Sequence, residues 1–226
     1  MKQPSYLESA PNAVQALYSY FNVRDTPTPT GSALGPTFDM YVVRDARMPT
    51  HLLAATQSDQ DPDNTTPLML PIDLTLFERG FRTDLNVPPA APGSIAPIPR
   101  SLTVGDSQVL YVNLPVVPIR VPHVPSLALL LLFAMGLETN HNLLAWKLLP
   151  VDVVGEFPNA AAMSTILSRR SHAEVDTFHR HNHGLWKNIL ALALSNSRMI
   201  QAVQTALHVT NEARRLQLRT KLAQQS

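Results

Sequence analysis

One run of side chains limits this chain more than any other. From Leu127 to Met135 the sequence is Leu-Ala-Leu-Leu-Leu-Leu-Phe-Ala-Met, the apolar centre of a segment extending from Ile119 to Leu149. At nine residues it is far shorter than the ~20 needed to cross a bilayer, so it predicts a buried helix. Ser126 can cap its start and Gly136 can end it. A second short helix is expected over 142–149, stopped by Pro150. The character of the chain changes around this segment, with short β-like runs broken by proline before it and helical patterns after it.

All 20 prolines lie before position 159. Helix is expected from Pro11 to Phe21, where Val14, Leu17, Tyr18 and Phe21 fall at helical spacing. Residues 26–36 read as a linker. Strands are expected over 37–45, from Ile72 to Leu76 where apolar residues alternate around Asp73 and Thr75, and over 108–114. Residues 48–57 fit either a strand or a turn leading into a short helix. Residues 82–107, with Pro88, Pro89 and Pro92, form the longest loop. Pro115, Pro118, Pro122 and Pro125 place the following segment at a sheet edge, because proline has no N–H to donate.

Beyond Pro150 helices are expected over 158–168, 171–194 and 198–222. The 171–194 helix opens on the capping-box pattern Ser171-His-Ala-Glu174 and tolerates Gly184 at about 1 kcal/mol. The fold class is therefore α+β, a small proline-broken β part followed by a mostly helical C-terminal half. Its segments are a helix and linker (1–36), a mixed core (37–150) and a helical region with a basic tail (151–226).

Net charge is +1 overall but unevenly placed: −5 over residues 1–168, from 9 Lys/Arg against 14 Asp/Glu, and +6 over 169–226, from 9 against 3. The absence of cysteine rules out disulfides, thiolate metal sites and a cysteine nucleophile. No phosphate-binding glycine loop and no Gly-x-Ser-x-Gly elbow occurs. The one dense polar cluster is His172, Asp176, His179, His181 and His183, of which His172, Asp176, His179 and His183 fall at i, i+4, i+7 and i+11 on a single helical face. The metalloprotease pattern needs Glu beside the first histidine of the pair 179/183, where Arg180 stands. The stripe is read as a partly exposed face titrating near 6.5, with no metal and no cofactor assigned. Trp146 and Trp186 are read as core residues. The basic tail lacks interleaved aromatics, so no nucleic-acid partner is expected. The opening residues have no apolar signal region, and a cytoplasmic or nuclear protein without a membrane partner is expected.

Phe38-Asp-Met-Tyr-Val-Val-Arg-Asp-Ala-Arg-Met-Pro-Thr-His-Leu-Leu-Ala-Ala-Thr56 resembles the opening of BTB/POZ domains. There an aspartate-led strand and a hairpin precede a histidine just before an apolar helix, and Asp39 and His51 stand in those two places. The stretch from Ile119 to Gly136, containing Ser-Leu-x-x-Leu-Leu-x-Phe, resembles the later part of that fold. The stretch from His123 to Pro150 is also similar to the clampless-type developmental proteins of mushroom-forming and smut fungi. Both resemblances imply a non-catalytic regulatory or scaffold protein that acts by binding other proteins, self-association included, the second in fungal sexual development. The expected contact surfaces are the loop containing Pro88, Pro89 and Pro92 and the basic face of the last helix, Arg214, Arg215 and Arg219. The alternative from another class is a viral structural protein, a capsid or accessory subunit, with proline-rich arms and a basic terminal helix.

Overall fold

A computed structural model describes residues 5–28, 34–61, 64–87, 97–104 and 107–224. The apolar run is helix α4 (Leu127–Ala134), and every side chain from Leu127 to Phe133 is buried. Gly136, at φ +69°, turns the chain out, and the Leu137 N–H closes back on the Leu132 carbonyl at 2.9 Å. This is the left-handed glycine stop that the sequence specifies. Ser126 does not cap the helix through its side chain. A 3-10 turn (Val124–Ser126) precedes α4, and the Ser126 hydroxyl is engaged sideways with His123.

Strands lie mostly in the N-terminal half and helices in the C-terminal half, as α+β patterning requires. Two short helices, α1 (Tyr6–Ser9) and α2 (Ala13–Tyr20), open the fold, and Asn12 caps α2 through the Gln15 N–H. The strands are β1 (Thr37–Tyr41), β2 (His51–Gln57), β3 (Leu68–Ile72), β4 (Arg100–Val104) and β5 (Ser107–Val121). They run in the order β1-β5-β2-β3, and β4 pairs with β5 as a hairpin. β2 runs parallel to β5, and the other pairs are antiparallel.

Further expectations about strands and loops are corrected here. His51 opens β2, so residues 52–56, where the BTB/POZ resemblance implies a helix, form a buried strand. The alternation over 72–76 is not a strand: β3 ends at Ile72, and Asp73 caps helix α3 (Leu74–Gly80) by accepting the Leu76 N–H at 3.0 Å. The long loop is shorter than expected, because β4 occupies residues 100–104.

The largest correction concerns β5, which is central rather than at an edge. It accommodates two prolines, opposite Thr37 and Ala54, because the ring nitrogen of neither points at a paired strand. The Val116 N–H bonds Pro36 on the β1 side, and alternation then turns the nitrogen of Pro118 to that same side, past the last β1 partner. Pro115 falls between Tyr111, the last residue paired with β4, and Val116, the first paired with β2.

The remaining helices are α5 (His141–Leu148), α6 (Val151–Val154), α7 (Ala160–Ser168), α8 (His172–Ala191) and α9 (Ser197–Gln224). Asn140, Asn159 and Ser171 cap α5, α7 and α8 through side-chain oxygens. Glu174 does not complete the capping box; its carboxylate pairs with Arg170 at 2.6 Å. α9 lies along α7 and α8, burying Met199, Val203, Ala206, Val209 and Ala213. α4 packs against α2, α3 and α8, so one continuous core runs from Leu7 to Ala213. Glu138 ties the first helix into it. This buried carboxylate accepts the Ser5 hydroxyl and the N–H groups of Thr139 and Asn140, at 2.8 and 2.7 Å.

Candidate functional site

The histidine stripe is where α8 meets α9. Asp176 pairs with Arg214 of α9 at 2.8 Å and lies 3.8 Å from His172, whose Nδ1 is 3.0 Å from the side-chain Oε1 of Gln217. His179 and His183 stack with ring centroids 5.7 Å apart. The carboxylate is thus engaged by a guanidinium. Among the described residues no three His, Asp or Glu side chains converge as a metal site. The expectation of ordinary titration fails at His179: burial, aided by Arg214 and His183, pushes its pKa below the usual value, while Asp176 opposes the shift.

A second polar cluster lies on the other side of α8, where His181 and Asn188 meet His123 and Ser126 from the segment before α4. Asn188, fully buried, accepts the His123 N–H at 3.0 Å and donates to the His123 carbonyl at 2.7 Å and the Ser126 hydroxyl at 3.2 Å. His123 Nδ1 is 2.9 Å from Ser126 Oγ. His181 faces this group with centroids 6.5 Å apart, and its Nε2 is buried without a hydrogen-bond partner. Ser126 is fully buried, so this Ser–His pair presents no nucleophile to solvent. It pins the turn before α4 to α8. The visible signal was Gly184 within a helix, since a Cβ there would lie 2.3 Å from the His123 ring. The glycine is required by close approach, not merely tolerated.

Of the expected basic contact face, Arg214 is turned to Asp176 and Arg215 is paired with Glu212 at 2.7 Å, both on partly open surface. Arg219 is exposed near the end of α9, beside the exposed Leu218 and Leu222. Pro88, Pro89 and Pro92 lie outside the described residues.

Trp146 is not a core residue. It is 44% exposed on α5, whereas Trp186 packs against the core as expected. Leu144 and Leu148 are four apart on the buried face, and at 3.6 residues per turn Trp146 points about 200° away from Leu144. Val151 in α6 and Phe157 in the turn after it are also exposed, at 64% and 67%.

Phe157 lines an open groove of about 730 Å³ between α5, the α6–α7 turn and α9. Its apolar wall includes Leu148, Leu149, Val154, Phe157, Met163 and Ala202. Arg198 stands in the same lining, exposed and without an ion-pair partner among the described residues. A separate apolar surface is the outer face of the β1-β5-β4 sheet. There Tyr41 and Leu102 are exposed while the alternating Met40, Val112 and Leu114 are buried.

No family model, no curated protein and no solved structure matches this chain. Among the described residues no helix is long and apolar enough to cross a membrane.

Proposed function

We propose that this is a non-enzymatic regulatory or scaffolding protein that works by binding another protein, with the groove between α5, the α6–α7 turn and α9 as the docking surface. The observation that carries the reading is Phe157, 67% exposed in the lining of a groove whose apolar wall also includes Leu148, Leu149, Val154 and Met163. Large apolar side chains gathered on a surface mark interaction sites more often than scattered ones do. Arg198, which has no ion-pair partner among the described residues, gives the partner segment a chemistry: an apolar stripe with a carboxylate placed to meet its guanidinium. The Ser126–His123 pair does not argue for catalysis, since the Ser126 hydroxyl is buried.

The test compares proteins retained from the native host by the wild type, by Phe157→Glu and Arg198→Glu, and by Leu190→Glu. Leu190 is exposed on α8 and is not part of the groove lining. The proposal expects one partner held by the wild type and Leu190→Glu and lost from both groove variants. An identical set on all four would overturn it. A large closed assembly in light scattering would support the coat-protein alternative instead.

A further inference from the structure

A pocket of about 620 Å³ lies at the end of α2, remote in sequence from the groove, and is lined mainly by polar side chains: Gln15, Ser19, Asn22, Arg24, Asp25 and Arg44. Its organising residue is Asn22. This side chain is 7% exposed, and its backbone sits at φ +54°, the left-handed region that asparagine tolerates better than most residues. Three of its polar groups hold the corner after β1. The Asn22 carbonyl accepts the Val43 N–H at 2.7 Å, Nδ2 donates to the Arg47 carbonyl at 3.1 Å, and Oδ1 accepts the Arg44 Nε–H at 2.8 Å.

The third bond carries the inference. An arginine tied through Nε has its guanidinium plane fixed and keeps the two Nη groups as a forked donor. Neither Arg44 nor Arg24 forms an ion pair with any described residue. Arg24 is brought alongside by its backbone, whose N–H bonds the Tyr41 carbonyl at 2.9 Å. Arg47 is excluded, since its guanidinium lies 4.4 Å from the ring centre of Tyr20. Asp25 is the one carboxylate among the described lining residues, 3.5 Å from the Tyr18 hydroxyl. Two guanidiniums against one carboxylate leave the pocket net positive.

We propose that this pocket binds an oxyanion, with Arg44 as the forked anchor set by Asn22 and Arg24 as the second cation. A phosphate monoester and a carboxylate share the required pair of oxygens. The site is independent of the groove, and either can fail without the other.

The test is a titration of the full chain, labelled with nitrogen-15 and followed by amide shifts at constant ionic strength. Inorganic phosphate, succinate and chloride are the three arms. The expected result is a saturable set of shifts confined to residues 15–25 and 43–47, in the phosphate arm, the succinate arm or both; the responding arm assigns the source of the oxyanion. Arg44→Lys keeps the charge but loses the fork, and should weaken the response by about tenfold. Arg24→Ala should weaken it less. Both positions are exposed, so an unchanged amide spectrum without ligand shows that the fold is retained. Non-saturating shifts equal in all three arms, or full retention of binding by Arg44→Lys, would overturn the proposal.

Discussion

The imidazole of His123 occupies the space that a side chain on Gly184 would fill: a Cβ at 184 would lie 2.3 Å from His123 Cγ and 2.4 Å from Nδ1. Gly184→Ala therefore sets two effects against each other. Alanine gains about 1 kcal/mol of helix propensity. Displacing a ring that also bonds Ser126 costs about 1–3 kcal/mol as overpacking, with further loss if the bonds to Asn188 break. Net destabilisation is expected, read as a lower denaturation midpoint with an unchanged slope. Stabilisation would show that the close approach does not matter.

Asn188 satisfies three partners from a fully buried position. Asn188→Ala should lower unfolding free energy by about 2–4 kcal/mol, because the His123 backbone N–H is left without its acceptor. Ser126→Ala should cost clearly less. Chemical denaturation of the two variants checks the ranking.

Acid should weaken the fold. The pKa values of His51, His123, His179 and His181 are all pushed below the usual imidazole value, burial being the first cause in each. Lys187 and His183 add to the shift at His123, Arg214 and His183 at His179, and His123 at His181. Asp176 opposes it at His179, as Asp73 and Glu78 do at His51. A depressed imidazole is neutral when folded, and the unfolded chain takes up the proton first. The stability is therefore complete above about pH 6.5 and is lost as pH falls through the lower folded values. Denaturation midpoints should fall between pH 7.5 and pH 5, and His181→Gln should flatten the slope. An equal slope in wild type and variant would remove His181 from the account.

Asp73 accepts the Leu76 N–H and so starts α3. Asp73→Ala should cost about 1 kcal/mol, while Asp73→Asn should retain most of it. Thermal unfolding distinguishes them.

Asp73 also shows why part of the fold was hidden in the sequence. Ile72-Asp-Leu-Thr-Leu76 has strand periodicity, yet one aspartate oxygen converts it into a strand end and a helix start. Caps at Ser171 and the stop at Gly136 were legible because each acts within a single turn. The prolines of β5 were not. Whether Pro115 and Pro118 break a sheet depends on which neighbours end beside them, a relation between segments far apart in sequence. The site was less legible still. The stripe of His172, Asp176, His179 and His183 was visible by spacing, but Arg214, which engages Asp176, comes from another helix. Trp146 could have been placed outside by its angle to Leu144 and Leu148.

The most direct test of the interaction account is a photo-crosslinking residue placed at 157 in the full chain, expressed in the native host. Phe157 is 67% exposed at the groove, so the substitution leaves the core untouched. One discrete protein adduct is predicted, strongly reduced by Arg198→Glu and absent when the crosslinker is moved to position 190. No adduct at 157, or the same adduct from both positions regardless of Arg198, would contradict it.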